Sequence, residues 1–388
     1  MMKRRLAIII SHPIQYYAPL FRLIAQETGI ELMVFYTWGE ASVGSKYDPD
    51  FGKVIEWDIP LLEGYNYSFV TNTSSDPGSH QFKGIINPTL NQEIEAWQPD
   101  AIWVWGWAFE SHLKVMRHFK GKVPVWFRGD STLLDEPKGF SFKKIIRRIF
   151  LTWVYRHVDK AFYVGTHNKA YYKMHGLKES QLVYAPHAID NNRFSDESGE
   201  KTTNAMAWRK DLGFKETDII VLFAGKLEHK KNPKYMLELA KVIDTAGVKF
   251  LIVGNGILES ELKALTRNDS RFVFLDFQNQ SQMPILYRVA DFFVLPSLGP
   301  GETWGLAINE ALASGTKVLA SEFCGGAIDL INDHNGLLFN PKTELNKARN
   351  YIMENHDLLK APMNQKTSLI SDHSYQEIIN ALNSEIKA

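Results

Sequence analysis

Short apolar segments alternate with amphipathic helical segments along almost the whole chain, and this alternation restricts the fold more than any other feature. The pattern is typical of parallel sheets covered by helices. The predicted strands are Leu6–Ile10, Glu31–Tyr36, Ala101–Trp105, Val123–Phe127, Ala161–Val164, Leu182–Tyr184, Ile219–Phe223, Phe250–Val253, Phe272–Leu275, Phe292–Leu295 and Lys317–Ala320. The stretch 38–87, rich in Gly, Asp, Ser and Asn, is expected to carry long loops or an extra hairpin. The predicted fold class is α/β, with doubly wound, Rossmann-like sheets.

The length of the chain and one polar stretch predict where this structure divides. A chain of 388 residues is long enough for two domains of roughly 100–200 residues each. The polar stretch 196–204 interrupts the alternation and is interpreted as an interdomain linker. We therefore predict Rossmann-like domains over 1–195 and 205–365, and a helix in 366–388 that packs back towards the N-terminal domain. The two domains are expected to face each other across a cleft, with ligands beyond the carboxyl ends of the strands.

Charge and cysteine content exclude several classes of protein. Lys plus Arg and Asp plus Glu both number 44, so net charge gives no indication of nucleic-acid binding. Cys324 is the only cysteine in the sequence, which excludes a disulfide framework and a cysteine-based metal site. The basic residues at 3–5 precede an apolar run of only about five residues, too short for a signal peptide. A cytoplasmic protein is expected.

The stretch 296–310 carries the most informative pattern in the sequence. A Gly/Pro-rich loop follows a predicted strand, and two carboxylates, Glu302 and Glu310, bracket the start of the next helix. Eight helical residues would separate them by about 12 Å, so they would grip different parts of an extended ligand. Backbone N–H groups at a helix start suit a phosphate, and here they belong to Trp304, Gly305 and Leu306. The alternative is that Glu302 stabilises its own helix and that Glu310 is a solvated helix residue.

A second element, 224–233, leaves a predicted strand through Gly225 and places lysines before a helix that starts at Asn232-Pro233. Lys226 and Lys231 could both reach a diphosphate and offset its charge. The Gly spacing and the Ser/Thr of a Walker loop are missing. Taken alone, this element would be interpreted as a solvated basic loop.

Together these elements resemble family 4 glycosyltransferases. Glu302-x7-Glu310, within Gly-Glu-Thr-Trp-Gly-Leu-Ala-Ile-Asn-Glu-Ala, is similar to the signature of that family. Further similar segments are 225–231, 253–256, 287–291, 325–326, 335–339 and the domain-junction segment 185–194. The segments 11–17 and 127–131 resemble those of bacterial surface-polysaccharide members.

The resemblance implies a GT-B fold, retention of anomeric configuration and a donor site in the second domain, with the first domain on the acceptor side. Glu302 would hold hydroxyls of the donor sugar and Glu310 those of the ribose, while Lys226 and Lys231 clamp the diphosphate. The base would lie against the main chain of 276–278, and the remaining donor-binding candidates are Gly225, Asn255, Phe277 and Gln278. Lys226 departs from the family, which usually has Arg there; Lys keeps the charge but loses the bidentate fork.

The first domain offers weaker candidates. Many family members carry a His in the loop after the fourth or fifth strand, where this chain reads Trp126-Phe127-Arg128-Gly129-Asp130. Asp130 is the candidate for orienting the donor sugar or the acceptor hydroxyl, and Arg128 for local charge balance. His12, just past the first strand, is a further acceptor-side candidate. The alternatives are a loop Asp that caps a turn and a structural or solvated His.

The predicted function is transfer of a sugar from a nucleotide diphosphate sugar, with a UDP-sugar favoured and no metal or cofactor expected, in polysaccharide or glycoconjugate biosynthesis. The pair Asp48-Pro49-Asp50 is similar to a manganese-binding motif, but a turn is favoured there. A nucleotide-sugar epimerase and a non-enzymatic two-lobed sugar receptor stay open as alternatives. A dinucleotide oxidoreductase is disfavoured because no G-x-G-x-x-G follows the first strand.

The stretch 140–153 interleaves Lys and Arg with Ile and Phe, as a basic amphipathic helix does. Such a helix can lie on anionic lipid, and a lipid-linked acceptor at the inner face of the membrane would explain it. The alternative, slightly favoured by the sequence, is that its apolar stripe packs on the sheet of the first domain.

Overall fold

The computed structural model describes residues 4–355 and 370–387, apart from 28, 45, 49, 50, 137, 138 and 140, with only the backbone for 46–48. Contacts divide the chain into two compact units. Unit 1 comprises 1–44, 59–187 and 374–388, and unit 2 comprises 45–58 and 188–373. In this division the segment 45–58 belongs to unit 2, and the last helix belongs to unit 1.

Unit 1 is built on a parallel sheet of order β5-β2-β1-β6-β7-β8-β9. Its strands are β1 (Arg4–Ile10), β2 (Ile30–Tyr36), β5 (Asn66–Phe69), β6 (Ala101–Trp105), β7 (Val125–Arg128), β8 (Lys160–Tyr163) and β9 (Leu182–Tyr184). Its helices are α1 (Ala18–Glu27), α2 (Leu90–Trp97), α3 (Glu110–Phe119), α4 (Phe142–Tyr155), α5 (Thr166–Met174) and α14 (Tyr375–Lys387). The central strands are apolar along their whole length because helices cover both faces of a parallel sheet, as the complete burial of β6 illustrates.

Unit 2 is built on a second parallel sheet, of order β12-β11-β10-β13-β14-β15. Its strands are β10 (Ile219–Ala224), β11 (Val248–Val253), β12 (Phe272–Leu275), β13 (Phe292–Leu295), β14 (Lys317–Ser321) and β15 (Gly336–Phe339). Its helices are α6 (Asn191–Phe194), α7 (Glu200–Asp211), α8 (Tyr235–Val242), α9 (Glu259–Thr266), α10 (Met283–Val289), α11 (Leu306–Ala313), α12 (Ala327–Leu330) and α13 (Leu345–Asn355). A separate antiparallel hairpin, β3 (Lys46–Asp48) with β4 (Lys53–Ile55), belongs to this unit.

The interpretation of 196–204 as a linker is wrong. The Asp196 carboxylate accepts hydrogen bonds from the N–H groups of Lys201 and Thr202 at 3.0 and 2.7 Å, and so caps the start of α7. The same carboxylate lies 3.7 Å from the guanidinium of Arg288, and both side chains are buried. A polar stretch that looks like a linker is therefore an internal part of unit 2.

The prediction that the apolar stripe of α4 packs on the sheet is also wrong for most of the helix. Only its last turn is buried, through Leu151, Val154 and Tyr155, while Phe142, Ile146 and the neighbouring apolar residues are exposed. Phe140, which starts the predicted helix, lies outside the described residues, as do Pro49 and Asp50 of the manganese-like motif. Among the described helices, none is long and apolar enough to cross a membrane.

Candidate active site

The site is built at the point where the strand order of unit 2 reverses. The sheet runs outwards from β10 through β11 and β12 in one direction, and from β13 through β14 and β15 in the other. The loops that leave the carboxyl ends of β10 and β13 therefore diverge to opposite faces, and the crevice between such loops is where doubly wound sheets bind ligands. The two stretches singled out in the sequence, 224–233 and 296–310, begin with these two loops.

Backbone and side-chain hydrogen bonds hold the two loops together. The Leu298 N–H donates to the Lys230 carbonyl at 2.9 Å, and the Asn232 side-chain amide donates to the Pro296 carbonyl at 3.3 Å. Asn232 adopts a left-handed conformation, with φ of 56°, which Asn tolerates better than most residues. Helix α8 begins at Tyr235 with Lys234 as its N-cap, so the prediction that Asn232 caps this helix is wrong. The Asn232 side chain instead ties one loop to the other.

Lys231 and Glu302 form an ion pair at the centre of this crevice. The Lys231 Nζ lies 2.6 Å from the Glu302 Oε2, and the Ser297 hydroxyl lies 3.0 Å from the same oxygen. The two side chains are 22% and 8% exposed, so the pair is largely withdrawn from water while one side of the lysine stays accessible. A cation held in this way can stabilise negative charge on an approaching ligand without first having to be oriented.

The Gly325-Gly326 pair fixes the loop that carries Glu302. The Gly325 N–H donates to the Glu302 carbonyl and the Gly326 N–H donates to the Trp304 carbonyl, both at 2.9 Å. A Cβ on Gly326 would lie 2.6 Å from the indole ring of Trp304, so only glycine leaves room for this ring. Trp304 is buried, and its indole N–H donates to the Asn309 side chain at 2.8 Å. Trp304 therefore anchors the loop with its side chain.

Helix α11 begins directly after this loop. Gly305 is its N-cap, with φ of 92°, a conformation that favours glycine. The first-turn N–H groups of a helix have no acceptor within the helix, and Gly305 and Leu306 present theirs at the carboxyl edge of the sheet. Glu310, one turn further on, is buried and accepts a hydrogen bond from the Tyr287 hydroxyl at 2.9 Å. The carboxylate is thus held in a defined orientation.

Close backbone approach explains the glycines on the β10 and β11 loops. A Cβ on Gly254 would lie 2.0 Å from the Gly225 carbonyl oxygen, and one on Gly256 would lie 2.7 Å from the Leu227 carbonyl oxygen. The Leu227 N–H donates to the Asn255 carbonyl at 2.9 Å. These contacts fix the course of the loop that carries Lys226 and Lys231.

Asn255 organises the edge of the site nearest β12. Its buried side chain donates to Asp276 at 3.0 Å and accepts from the Phe277 N–H at 3.0 Å. The Gln278 side chain folds back to the Asp276 carbonyl at 2.9 Å. The structure therefore brings Asn255, Phe277 and Gln278 together on adjacent loops.

The segment 51–58 lies on this edge of unit 2 and was not predicted there from the sequence. The Phe51 ring packs edge-on to Phe277 at 5.1 Å, and the Lys226 ammonium lies 5.1 Å from the centre of the same Phe51 ring. Trp57 approaches Phe277 from another side, at 6.2 Å. Lys53 lies 2.8 Å from Asp276 and lowers the pKa of that carboxyl below its usual range. No local signal connects this segment with a sheet that begins more than 150 residues later.

Unit 1 holds a second polar cluster at the carboxyl ends of β7 and β9. The Arg128 guanidinium is buried and donates to the carbonyls of Ala185 and Pro186, both at 2.9 Å. This bond holds the adjacent residue, His187, so that its Nε2 lies 3.9 Å from an oxygen of Asp130. Asp130 is half exposed, whereas His187 is buried. Burial lowers the pKa of His187, and the neighbouring Asp130 opposes that shift.

From the sequence, His187 was noted only as a member of the domain-junction segment 185–194 and not as a site residue. The structure places it beside Asp130, in the region where a His was sought in the β7 loop. His187 follows the predicted strand Leu182–Tyr184 of the same sheet, and this position could have identified it as a candidate. His12 lies half-buried after β1, with its Nδ1 2.9 Å from the Ser11 hydroxyl and its ring edge-on to Trp38. The acceptor-side candidates thus lie on three loops at the carboxyl edge of the sheet of unit 1.

Comparison with known protein families adds to this geometry. Residues 204–368 match the model of the family described as Glycosyl transferases group 1. This part of the chain therefore resembles a glycosyl transferases group 1 domain. The match covers the whole crevice of unit 2 that is built from the β10 and β13 loops, including Lys226, Lys231, Glu302 and Glu310.

Curated relatives resemble parts of the chain. An uncharacterized glycosyltransferase of Methanocaldococcus jannaschii is 31% identical over 140 residues, which is 35% of this chain and 35% of the relative. The UDP-Gal:alpha-D-GlcNAc-diphosphoundecaprenol alpha-1,3-galactosyltransferase of Escherichia coli is 28% identical over 211 residues, or 52% of this chain and 51% of the relative. The chain thus spans about half or less of the length of these relatives.

Solved structures resemble the whole chain. HepE of Anabaena, in complex with UDP and glucose, has a TM-score of 0.69 at 16% identity and covers 99% of both chains. This likeness, with the two parallel sheets, confirms the predicted fold class of two Rossmann-like α/β domains of the GT-B type.

Proposed function

We propose that this chain is a metal-independent, retaining glycosyltransferase that moves a sugar from a nucleotide diphosphate sugar to an acceptor. The observation that carries the proposal is the Lys231–Glu302 pair, held in the switch-point crevice beside the start of α11. One cation, one carboxylate and the N–H groups of a helix start are placed there together. A diphosphate joined to a polyhydroxyl sugar is a ligand that uses all three.

Departure of the diphosphate builds negative charge on its oxygens. Lys226 and Lys231, with the N–H groups of Gly305 and Leu306, would stabilise that charge in place of a metal ion. Glu302 would accept hydrogen bonds from sugar hydroxyls, while its other oxygen keeps Lys231 in place. Glu310, oriented by Tyr287, would accept from the ribose hydroxyls.

Retention is proposed to follow from attack by the acceptor on the face from which the diphosphate departs. In this scheme the glycosidic bond forms as the bond to diphosphate breaks, and the acceptor proton passes to a diphosphate oxygen. Asp130 would orient the donor sugar or the acceptor hydroxyl, with His187 holding the carboxylate.

A UDP-sugar is the favoured donor. HepE of Anabaena binds UDP, and the Escherichia coli relative is named for a UDP-Gal donor, which supports this choice for the present chain. The acceptor of that relative is named as a diphosphoundecaprenol-linked GlcNAc. We therefore propose a glycan acceptor, lipid-linked by preference, in polysaccharide or glycoconjugate biosynthesis at the cytoplasmic face of a membrane.

Calorimetric titration with UDP, GDP, ADP and dTDP, each with and without EDTA, tests the donor site. Tight binding of one nucleotide that survives EDTA and weakens in Glu310→Ala would support the proposal. Binding that requires a divalent ion, or no binding of any nucleotide, would overturn it. Incubation of the corresponding nucleotide sugar without acceptor provides a second test, because accumulation of its epimer would favour an epimerase instead.

A further inference from the structure

Helix α4 presents a face of large apolar side chains to solvent. Phe142, Ile145, Ile146, Ile149 and Phe150 are 76%, 42%, 68%, 66% and 40% exposed. The last turn of the same helix is packed into unit 1 through Leu151, Val154 and Tyr155, which are buried. The helix is therefore anchored at one end, while its first two and a half turns project an apolar surface outwards.

These exposed residues lie on one side of the helix. With about 100° between successive residues, the five side chains fall within an arc of about 140°, bounded by Ile145 and Phe150. The buried residues of the last turn fall on the opposite side. At one edge of the arc the Phe150 ring packs edge-on to Trp107 at 5.6 Å. The side chains of Phe142, Ile146 and Ile149 are largely exposed, which is unusual for large apolar side chains on one helix.

Basic residues flank the apolar arc. Lys143 lies about 20° beyond one edge and Arg148 about 60° beyond the other, while Lys144 and Arg147 lie on the opposite side. All four belong to the sequence FKKIIRRIFLTWVY of α4, which contains no acidic residue. The helix therefore combines four positive charges with an apolar face. An interfacial membrane helix has this composition, with apolar side chains below the headgroups and cations at the level of the phosphates.

We propose that this surface docks the protein on a membrane that carries anionic lipids, with α4 lying in the plane of the interface. Fourteen residues form a helix only about 21 Å long, which suits a position along the surface of a bilayer. Charge complementarity favours an anionic membrane over a second copy of this chain as the partner of this surface. A second copy of this chain, packed on the same face, would bring two sets of four cations together, whereas anionic headgroups offset them. The inference concerns a surface apart from the donor crevice and does not rest on the proposed sugar transfer.

Sedimentation of the full chain with vesicles tests the proposal. The vesicles are made of phosphatidylcholine with 30% phosphatidylglycerol, or of phosphatidylcholine alone, at roughly 0.05 M salt. The apolar variant is Ile146→Ser/Ile149→Ser, matched by Ile257→Ser/Leu265→Ser in unit 2, where both residues are also exposed. The basic variant changes Lys143, Lys144, Arg147 and Arg148 to Gln. Its control changes four exposed cations of unit 2, Lys210, Lys215, Lys241 and Arg267, to Gln.

Wild type and both controls are expected to sediment with the anionic vesicles and not with the neutral ones. Each basic residue near an anionic surface contributes about fivefold to partitioning. Because Lys143 and Arg148 flank the apolar arc, the basic variant should lose at least about 25-fold, and the apolar variant should lose at least about tenfold. Nucleotide affinity should stay within twofold of wild type in all variants, which separates this test from that of the donor site.

Three outcomes would overturn the proposal. The wild type could fail to sediment with anionic vesicles, or the α4 variants could sediment as well as their controls. The wild type could also be a dimer by light scattering that the apolar variant converts to a monomer, without binding vesicles. In that case a second copy of the chain, and not lipid, would cover the surface.

Discussion

Replacement of Lys231 by Gln should lower both the stability of unit 2 and its affinity for a nucleotide. The Lys231 ammonium is 2.6 Å from the Glu302 carboxylate, which is 8% exposed. Removing one partner of a buried pair leaves an uncompensated charge and costs about 3 kcal/mol or more; we take the lower end because Lys231 is 22% exposed. For a unit of about 200 residues, each kcal/mol shifts the melting temperature by about 2–4 °C. Lys231→Gln should therefore melt about 6–12 °C below wild type.

The two single variants and the double variant should behave differently in the two assays. Loss of a hydrogen bond from a charged group to phosphate costs about 1.5–3 kcal/mol, so Lys231→Gln should bind the nucleoside diphosphate about 10–150-fold more weakly. Glu302→Gln should also melt early, yet it should bind the bare nucleotide at least as tightly as wild type, because Lys231 is released from the carboxylate. Lys231→Gln/Glu302→Gln removes both charges and should recover most of the melting temperature, with nucleotide binding still weak.

Scanning calorimetry and titration calorimetry on the four proteins provide the measurements. If Lys231→Gln melts within 2 °C of wild type, the ion pair does not stabilise unit 2 as the geometry requires. If the double variant binds nucleotide as well as wild type, Lys231 does not contact the diphosphate. Either result would contradict the role given to Lys231 in this site.

Three other predictions follow from buried groups elsewhere in the structure. Tyr287→Phe removes the hydrogen bond to Glu310 and should weaken nucleotide binding roughly tenfold, as titration calorimetry would show; unchanged affinity would mean that Glu310 needs no orienting partner. Burial lowers the pKa of His112 to about 4. Between about pH 6.5 and pH 4 only the unfolded chain therefore takes up a proton on this residue. The free energy of unfolding should be fully retained above about pH 6.5 and should fall by about 3 kcal/mol as the pH falls to about 4. Urea unfolding across this range should show a shallower decline in His112→Gln, and identical slopes would refute the assignment. Gly254→Ala would place a Cβ 2.0 Å from a backbone oxygen and should destabilise unit 2 by roughly 3 kcal/mol or more. Gly247→Ala, where nothing lies within 4 Å, should melt close to wild type; equal melting of the two variants would contradict the close approach.

Features encoded by neighbouring residues could be predicted from the sequence. The central strands are uninterrupted apolar runs, and the structure places β6, β9, β12 and β13 at the predicted residues. The placement of Lys231 and Glu302 at one edge of a sheet could be anticipated, because both residues follow strands of one parallel sheet; their ion pair was not predicted. The edge strands β5 and β15 were missed because each is short, and β5 is also only partly apolar.

The features that could not be predicted depend on contacts far apart in the chain. Amphipathic periodicity in α4 is the same whether its apolar side faces a core or a membrane, so the sequence favoured the wrong side. The polar composition of 196–204 looks like a linker, and only the buried Arg288 beside Asp196 reveals an internal contact. Phe51 packs on Phe277, but the two residues are so far apart in the sequence that no local pattern predicts this contact.

The allocation of 45–58 to unit 2 and of 374–388 to unit 1 means that the chain passes between the units four times. Neither unit is a continuous fragment, so cutting the gene at residue 187 would not yield two independent halves. During synthesis, the first sheet would emerge from the ribosome long before α14, whose Tyr375 hydroxyl donates to the Tyr16 carbonyl at 2.7 Å. Unit 1 can complete its packing only after almost all of unit 2 has been translated. An exchange of one unit between relatives should therefore transfer the outlying segment of that unit, 45–58 or 374–388, together with its main body.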